Sequence, residues 1–222
     1  MPLDPARTAL LAIDVQNDFC PAYRHGGTDV PAGALAVPDG HAVVPPLNAL
    51  AVAFAERGAP VVATQDWHPA GHFSFASSHP EGSGPKPEGV LWPDHCVRGT
   101  PGAEFHAGFD LRPVNLILRK GFRPRLDSYS AFFENDRSTP TGLEGWLRRL
   151  GIDTVAIGGL ATDYCVFYSV TDALRLGFSV LVIEDAVRGV GFPEGSVPRA
   201  TKAMADAGAG FLPSADLLRE FR

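Results

Sequence analysis

The sequence has few cysteines and no apolar run long enough to cross a membrane. Its 222 residues include only three cysteines, Cys20, Cys96 and Cys165, which cannot all pair within one chain. So few cysteines in so long a chain indicate reduced thiols, not a disulfide framework. The apolar runs fall short of the roughly 20 residues that span a bilayer, and the first residues lack the features of a signal peptide. We therefore expect a cytoplasmic protein that has no membrane partner.

Basic surface is also scarce. The chain has 19 Lys and Arg residues against 25 Asp and Glu residues, a formal net charge of -6. Nucleic-acid binding needs a clustered basic surface, and the longest basic cluster, RKGFRPR at 119–125, holds only four charges. We interpret this cluster as a solvated loop and expect no nucleic-acid partner.

What the sequence does contain is a series of near-continuous apolar segments of strand length. TALLAIDV, PVVATQ, VNLILRK, TVAIGGLA and FSVLVIED begin at residues 8, 60, 114, 154 and 178. Such runs, without polar alternation, are typical of strands that are buried on both faces of a parallel sheet. Helical patterns lie between them, at 45–57, 139–150, 162–176 and 196–207. Glycines at 58, 151, 177 and 208 follow these helices, as expected just past a helix C-terminus.

Strands and helices in alternation predict right-handed crossovers and a three-layer α/β/α sandwich with a central, mainly parallel sheet. A hydrophobic content of 45% is enough for a sizeable core, and we expect a single domain over residues 1–222. A short edge strand is expected near 209–213. Segments 20–44 and 67–113 are rich in Gly, Pro and His and fit neither period, so they are predicted to be long loops, functional or disordered.

Polar or reactive residues follow all five predicted strands. They are, in chain order, Asp14, Asp66 with His68, Lys120, Cys165 and Asp185. Ligands of open α/β sheets bind beyond the carboxyl ends of the strands, where the loops converge. Taken singly, Asp14 could cap a turn, Lys120 could be solvated and Cys165 could be a small buried apolar residue. Taken together, they predict a catalytic site at this edge of the sheet.

Cys165 lies where a reactive thiol would be expected. The stretch GLATDYC passes from strand to helix, with Thr162 or Asp163 as the predicted N-cap, so the sulfur falls in the first helical turn. Unpaired N–H groups and the helix dipole favour a thiolate there. An ammonium group such as that of Lys120 would favour it further.

The stretch QDWHPAGHFSF at 65–75 has the spacing of a metal site. If the strand is still extended there, Asp66 and His68 point the same way, and a third ligand could be His72 or His95. Zinc, iron and manganese all accept imidazole and carboxylate ligands. The alternative is a surface loop whose histidines bond locally. The remaining histidines, at 25, 41, 79 and 106, are interpreted as ordinary loop residues.

Four segments, in this order and spacing, resemble a known family. They are AIDVQNDFC (12–20), ATQDWHPAGHFSF (63–75) with WPDHCVRGTPGAEFH (92–106), LRKG (118–121) and GGLATDYCV (158–166). On these motifs the chain resembles the nicotinamidase/pyrazinamidase family of the isochorismatase-like cysteine hydrolases. The resemblance covers nearly the whole chain. Segment 22–44 is longer than in compact members, and FRPRLDSYSAF carries an extra residue, so differences are expected in the pocket wall.

The resemblance implies a set of site residues. The catalytic triad would be Asp14, Lys120 and Cys165. One divalent metal ion, zinc before iron or manganese, would be held by Asp66, His68 and His95, with His72 at the position of an additional ligand. An oxyanion hole would be formed by the backbone N–H groups of Ala161 and Cys165, after a cis peptide between Leu160 and Ala161. The substrate wall would be formed by Phe19, Trp92, Tyr129 and Leu160.

The resemblance also implies an activity. The chain would hydrolyse nicotinamide to nicotinic acid and ammonia in NAD salvage, through a cysteine thioester, and pyrazinamide could be a second substrate. A homo-oligomer is implied as well. The alternatives are an amidohydrolase of another small amide or N-carbamoyl compound, and a metal-binding or scaffold protein that kept the fold but not the chemistry. An isochorismatase is disfavoured, since cleavage of a vinyl ether needs no cysteine nucleophile.

Overall fold

The computed structural model of the chain describes residues 3–80 and 90–221. The strands are β1 (Thr8–Ile13), β2 (Tyr23–His25), β3 (Thr28–Val30), β4 (Val61–Asp66), β5 (Leu116–Lys120), β6 (Thr154–Leu160), β7 (Ser179–Arg188) and β8 (Gly210–Leu212). The α-helices are α1 (Val44–Glu56), α2 (Leu143–Arg149), α3 (Phe167–Arg175), α4 (Ser196–Asp206) and α5 (Ser214–Glu220). A π-helical turn, Thr162–Val166, leads into α3.

Six strands form one parallel sheet in the order β5-β4-β1-β6-β7-β8. Helices cover both of its faces, α1 and α5 on one and α2, α3 and α4 on the other. Alternate residues of β1 enter different cores: Leu10 packs towards α1, whereas Leu11 packs towards α3. This explains why the strand sequences are apolar without alternation, and it confirms the predicted α/β/α sandwich with a mainly parallel sheet.

The predicted helices are present with shifted ends. The helix predicted at 139–150 begins only at Leu143, because Gly142 adopts a left-handed conformation (φ 97°) and the Thr141 hydroxyl accepts the Leu143 N–H at 3.3 Å. The structure adds α5, which the sequence patterns do not predict. The glycines expected past the helix ends all have positive φ: Gly58, Gly151, Gly177 and Gly208.

The prediction that Asp185 follows the fifth strand is wrong, because β7 continues to Arg188. The Asp185 carboxylate instead accepts hydrogen bonds from the backbone N–H (2.7 Å) and hydroxyl (2.5 Å) of Ser214, at the start of α5. Its role is therefore helix capping, away from the other strand-end residues.

In the described parts of the two long loops, backbone hydrogen bonds tie the segments together. Segment 20–44 contains the hairpin β2–β3, which the sequence patterns do not predict, and its residues 33–37 lie along residues 18–20. Within 67–113, the structure describes 67–80 and 90–113. Among the described residues, no helix has the length and apolarity that a membrane crossing needs.

Candidate active site

Three buried side chains meet at the carboxyl ends of β1, β5 and the turn after β6. The Lys120 ammonium lies 2.7 Å from Asp14 Oδ2 and 3.4 Å from Cys165 Sγ. Oxygens of Asp14 and Asp66 and the sulfur of Cys165 all lie within 4.8 Å of one another. The structure thus brings together the three residues predicted as a triad. Their catalytic roles remain predictions.

Lys120 also joins this group to the neighbouring strand. Asp66 is the register partner of Lys120 where β4 and β5 pair, and its Oδ1 accepts a hydrogen bond from Nζ at 2.5 Å. The carbonyl of Ser128 accepts another at 2.9 Å. Lys120 is completely buried, and its pKa is well above the usual range because the attraction of Asp14 and Asp66 outweighs the effect of burial. The ammonium therefore stays charged in an interior that contains two carboxylates.

Burial shifts the pKa values of two members of the triad. Burial raises the pKa of the Cys165 thiol well above its usual value, and the Lys120 charge offsets only part of this. Burial likewise raises the pKa of Asp14 to about 6, although Lys120 and a hydrogen bond from Thr64 oppose it. Burial thus opposes the thiolate that the helix terminus and Lys120 are expected to favour. Asp14 is placed as the base that could take the thiol proton.

The turn carrying Cys165 is also built differently from the prediction. Ala161, not Thr162 or Asp163, occupies the N-cap, and its carbonyl accepts the N–H groups of Tyr164 (3.0 Å) and Val166 (3.1 Å). The Leu160-Ala161 peptide is cis, as the resemblance implied. The Asp163 carboxylate bonds the segment after β7 instead, through Val190 N and Gly191 N (2.9 Å each) and the Ser196 hydroxyl (2.5 Å).

A second cluster lies beside the first. Asp66, His68 and His95 each contribute one potential ligand atom, and these three atoms lie within 4.8 Å of one another. Asp66 Oδ2 is 3.7 Å from His68 Nε2 and 4.0 Å from His95 Nε2. All three side chains are buried. The arrangement has the size and donor set of a site for a divalent cation.

The surroundings of the two imidazoles fit a cation. His68 Nδ1 is 2.8 Å from the carbonyl of Gly121, and His95 Nδ1 is 2.8 Å from the carbonyl of Pro93. A ring nitrogen that donates to a carbonyl carries the proton, so in the neutral form of each ring the lone pair is on Nε2, which faces Asp66. The residues present therefore fit a metal ion held by two Nε2 atoms and one carboxylate.

His72 is not brought into this cluster. Its Nδ1 lies 2.7 Å from the Ser74 hydroxyl and its Nε2 lies 2.9 Å from the Arg123 carbonyl, so both ring nitrogens have partners. It forms a separate potential group with His68 and Asp127. Of the two candidates that the sequence left open, the geometry favours His95 as the third ligand.

Both clusters border one cleft, whose wall includes Asp66, His68, His95 and Cys165. Phe19, Trp92 and Tyr129 line it, as predicted, and the indole N–H of Trp92 donates to the Tyr129 hydroxyl at 2.9 Å. The Leu160 side chain does not line the cleft: it is fully buried in the core against α1. The side chain of the next residue, Ala161, takes that place.

Other cleft residues were missed by the sequence analysis: Leu35, Asp127, Tyr164 and Val190. Asp127 lies in FRPRLDSYSAF and Tyr164 is the neighbour of Cys165. Both therefore lie within motifs in which only another residue, Tyr129 or Cys165, was predicted to belong to the site. Leu35 and Val190 carried no signal, since an apolar residue in an irregular segment is common and its contacts depend on the path of the loop.

The parallel sheet and the buried cysteine at its carboxyl edge are together the features of a class of α/β enzymes. An Isochorismatase domain model matches residues 8–216, and the chain belongs to this family. The family resemblance inferred from the motifs is thereby confirmed.

Relatives of similar length make the likeness more specific. The chain is 44% identical over 215 residues to a nicotinamidase of Escherichia coli (strain K12), covering 94% of this chain and 95% of that protein. It resembles the structure of an Acinetobacter baumanii nicotinamidase and pyrazinamidase, with a TM-score of 0.85, 44% identity, and 97% and 100% coverage. The pyrazinamidase of Pyrococcus horikoshii in complex with zinc gives a TM-score of 0.74, 38% identity, and 93% and 99% coverage.

Proposed function

We propose that the protein hydrolyses nicotinamide to nicotinic acid and ammonia, a reaction of NAD salvage, as the names of its relatives indicate. The observation that carries the proposal is the position of Lys120, whose ammonium contacts both Asp14 and Cys165 at the base of one cleft. A thiol beside a base and a fixed cation is the arrangement of a cysteine nucleophile. The whole chain, residues 1–222, acts in this proposal as one domain.

The first half-reaction begins with proton transfer from Cys165 to Asp14. A pKa of about 6 makes Asp14 largely ionised at neutral pH yet basic enough to accept that proton. The thiolate attacks the amide carbon, and the carbonyl electron pair moves onto oxygen. The backbone N–H groups of Ala161 and Cys165 are assigned to this oxyanion. When the pair returns, the C–N bond breaks, and ammonia leaves with the proton held by Asp14.

The second half-reaction hydrolyses the resulting thioester. Asp14, again ionised, accepts a proton from water, and the hydroxide oxygen bonds to the acyl carbon. The C–S bond breaks, the sulfur regains its proton from Asp14, and nicotinic acid is released. Throughout, the Lys120 charge stabilises whichever of Asp14 and Cys165 is anionic, since it lies within hydrogen-bonding distance of both.

The residues at the other end of the cleft are assigned the role of orienting the substrate. Asp66, His68 and His95 would hold one divalent cation, with zinc first and iron or manganese as alternatives. When bound, such a cation supplies a Lewis acid that can take a lone pair of the pyridine ring, directly or through water. Phe19, Trp92 and Tyr129 would hold the ring by its faces and edges. A homo-oligomer and a cytoplasmic location are retained as family-based predictions.

An ammonia-release assay on nicotinamide tests the proposal. We expect turnover by the zinc-loaded protein, a marked loss after chelation, and no turnover by Cys165→Ala, which should still bind zinc. Cys20→Ala is the matched control, because Cys20 is a buried thiol that does not line the cleft.

Two results would change the conclusion. Parental rates in Cys165→Ala would remove this residue as the nucleophile. Ammonia release from an N-carbamoyl compound, without any from nicotinamide, would favour the alternative amidohydrolase.

A further inference from the structure

Asp18 belongs to neither cluster, yet its carboxylate touches the backbone of both loops that wall the cleft. It lies in the short 3-10 turn Asn17–Phe19, directly before the ring of Phe19. Its Oδ2 accepts the N–H of Cys96 at 2.6 Å, and its Oδ1 accepts the N–H of Ala34 at 3.1 Å. Each oxygen of one carboxylate thus holds a different segment.

The Cys96 contact bears on two candidate metal ligands. Cys96 follows His95 directly and adopts a left-handed backbone (φ 45°), which is unusual for a non-glycine residue. Its carbonyl accepts the N–H of His68 at 3.0 Å. The hydrogen bond from Cys96 N to Asp18 therefore fixes a residue that positions His95 through the chain and His68 through a backbone bond.

The Ala34 contact bears on the opposite wall. The Leu35 N–H donates to the Asp18 carbonyl at 3.0 Å, and the Val37 N–H donates to the Phe19 carbonyl at 3.0 Å. This register presents Leu35 to the cleft beside Phe19. Segment 22–44 is thereby attached to the pocket wall, where its length led us to expect a difference.

Gly102 lies directly against the Asp18 carboxylate. Gly102 faces it so closely that a methyl group at this position would overlap both carboxylate oxygens. The two N–H donors also require two acceptors, which Asp offers and Asn does not, because the amide NH₂ of Asn would face an N–H group. The position therefore favours a side chain with two acceptor oxygens held in one orientation.

We propose that Asp18 is a positioning residue for the cation site: by accepting the N–H groups of Cys96 and Ala34, it holds His95, His68 and Leu35 in their places around the cleft. This inference rests on the cation site of the proposed function. Asp18 does not contact the triad, so the chemistry at Cys165 should survive its replacement.

Zinc titration of the metal-free protein by calorimetry tests this directly. For Asp18→Asn we expect the zinc Kd to rise by about 10- to 100-fold, the usual effect of losing a group that orients metal ligands. Excess zinc should restore kcat, and the rate of Cys165 alkylation should stay at the parental value. Asp29→Asn is the control, since Asp29 is an exposed carboxylate whose pair with Arg24 is 3.8 Å long; it should leave the Kd unchanged.

A second variant covers the case in which Asp18→Asn folds poorly. Gly102→Ala keeps the carboxylate but displaces it, and should raise the zinc Kd in the same direction. A parental Kd in both variants would overturn the inference while leaving the proposed function intact. If the parental protein itself bound no zinc but still released ammonia, the cation site and this inference would both fall, and the triad would stand.

Discussion

The two halves of the cleft are held in place by different means. Asp14, Lys120 and Cys165 lie at the ends of sheet strands or the turn that follows, and a buried ammonium links them. His68 and His95 lie on loops, and their rings are aimed by single hydrogen bonds to the carbonyls of Gly121 and Pro93. The first half depends on charge in a low-dielectric interior, and the second on the backbone path of loops. Substitutions should therefore affect them separately.

One residue belongs to both halves. Asp66 ends β4, accepts a hydrogen bond from Lys120 through Oδ1, and turns Oδ2 towards His68 and His95. Its pKa is strongly lowered, because Lys120 and the two imidazoles outweigh the effect of burial. Any coupling between the halves should pass through this carboxylate.

The largest effect is expected from Lys120→Met. Removing the ammonium leaves the buried carboxylates of Asp14 and Asp66 facing each other without a counter-charge. We expect a loss of about 3–5 kcal/mol in the free energy of unfolding and a fall in kcat of about 10³-fold or more. Urea unfolding and ammonia release measure the two. Lys202→Met, which removes an exposed helical pair with Asp206, should cost under about 0.5 kcal/mol, and equal losses in both variants would contradict the comparison.

The next largest effect is expected from Gly121→Ala, which should change zinc binding without changing the triad. A methyl group on Gly121 would come within 2.5 Å of His68 Cε1, so Gly121→Ala should tilt that ring and weaken zinc binding by about 10-fold or more. Alkylation of Cys165 should change little. Gly151→Ala is the matched control, because Gly151 has the same left-handed backbone (φ 78° against 64°) with open space around its Cα. Unchanged zinc affinity in Gly121→Ala would show that the contact with Gly121 does not set the orientation of the His68 ring.

A pH profile tests the triad half alone. Since the pKa of Asp14 is raised to about 6 by burial, the base is protonated below that pH and cannot accept the thiol proton. At saturating zinc, kcat/KM should fall about tenfold per pH unit below 6. A profile that stays flat down to about pH 4.5 would remove Asp14 as the base.

The smallest effect concerns the wall between the halves. Tyr129→Phe keeps the ring but removes the acceptor of the Trp92 indole N–H, at a cost of about 1 kcal/mol. We expect KM for nicotinamide to rise about fivefold with kcat unchanged. Tyr168→Phe, whose ring stacks on Tyr129 without lining the cleft, should leave KM at the parental value; a change in kcat for Tyr129→Phe would contradict a role confined to binding.

The site residues that could be predicted from the sequence are those that lie directly after the strands. The apolar runs located the strands, and parallel strands place the residues just past their carboxyl ends at one edge, so these residues are identifiable as neighbours from the chain alone. Prediction from the sequence failed at Asp185, because strand length is not encoded by the apolar run alone, and at Asp163, which caps a distant segment instead of its own helix. The choice between His72 and His95 stayed open in the residues themselves, since it depends on how the loop from 67 onwards folds back.

The sequence by itself determined the alternation of strands and helices, and with it the α/β fold and the edge at which Asp14, Lys120 and Cys165 gather. Tertiary structure alone decided the protonation of that group, the pairing of His68 with His95, and the attachment of both walls to Asp18. The physical reason is that periodicity and strand ends are local properties of the chain. Desolvation and loop hydrogen bonds arise only from residues that are far apart in sequence and become neighbours on folding.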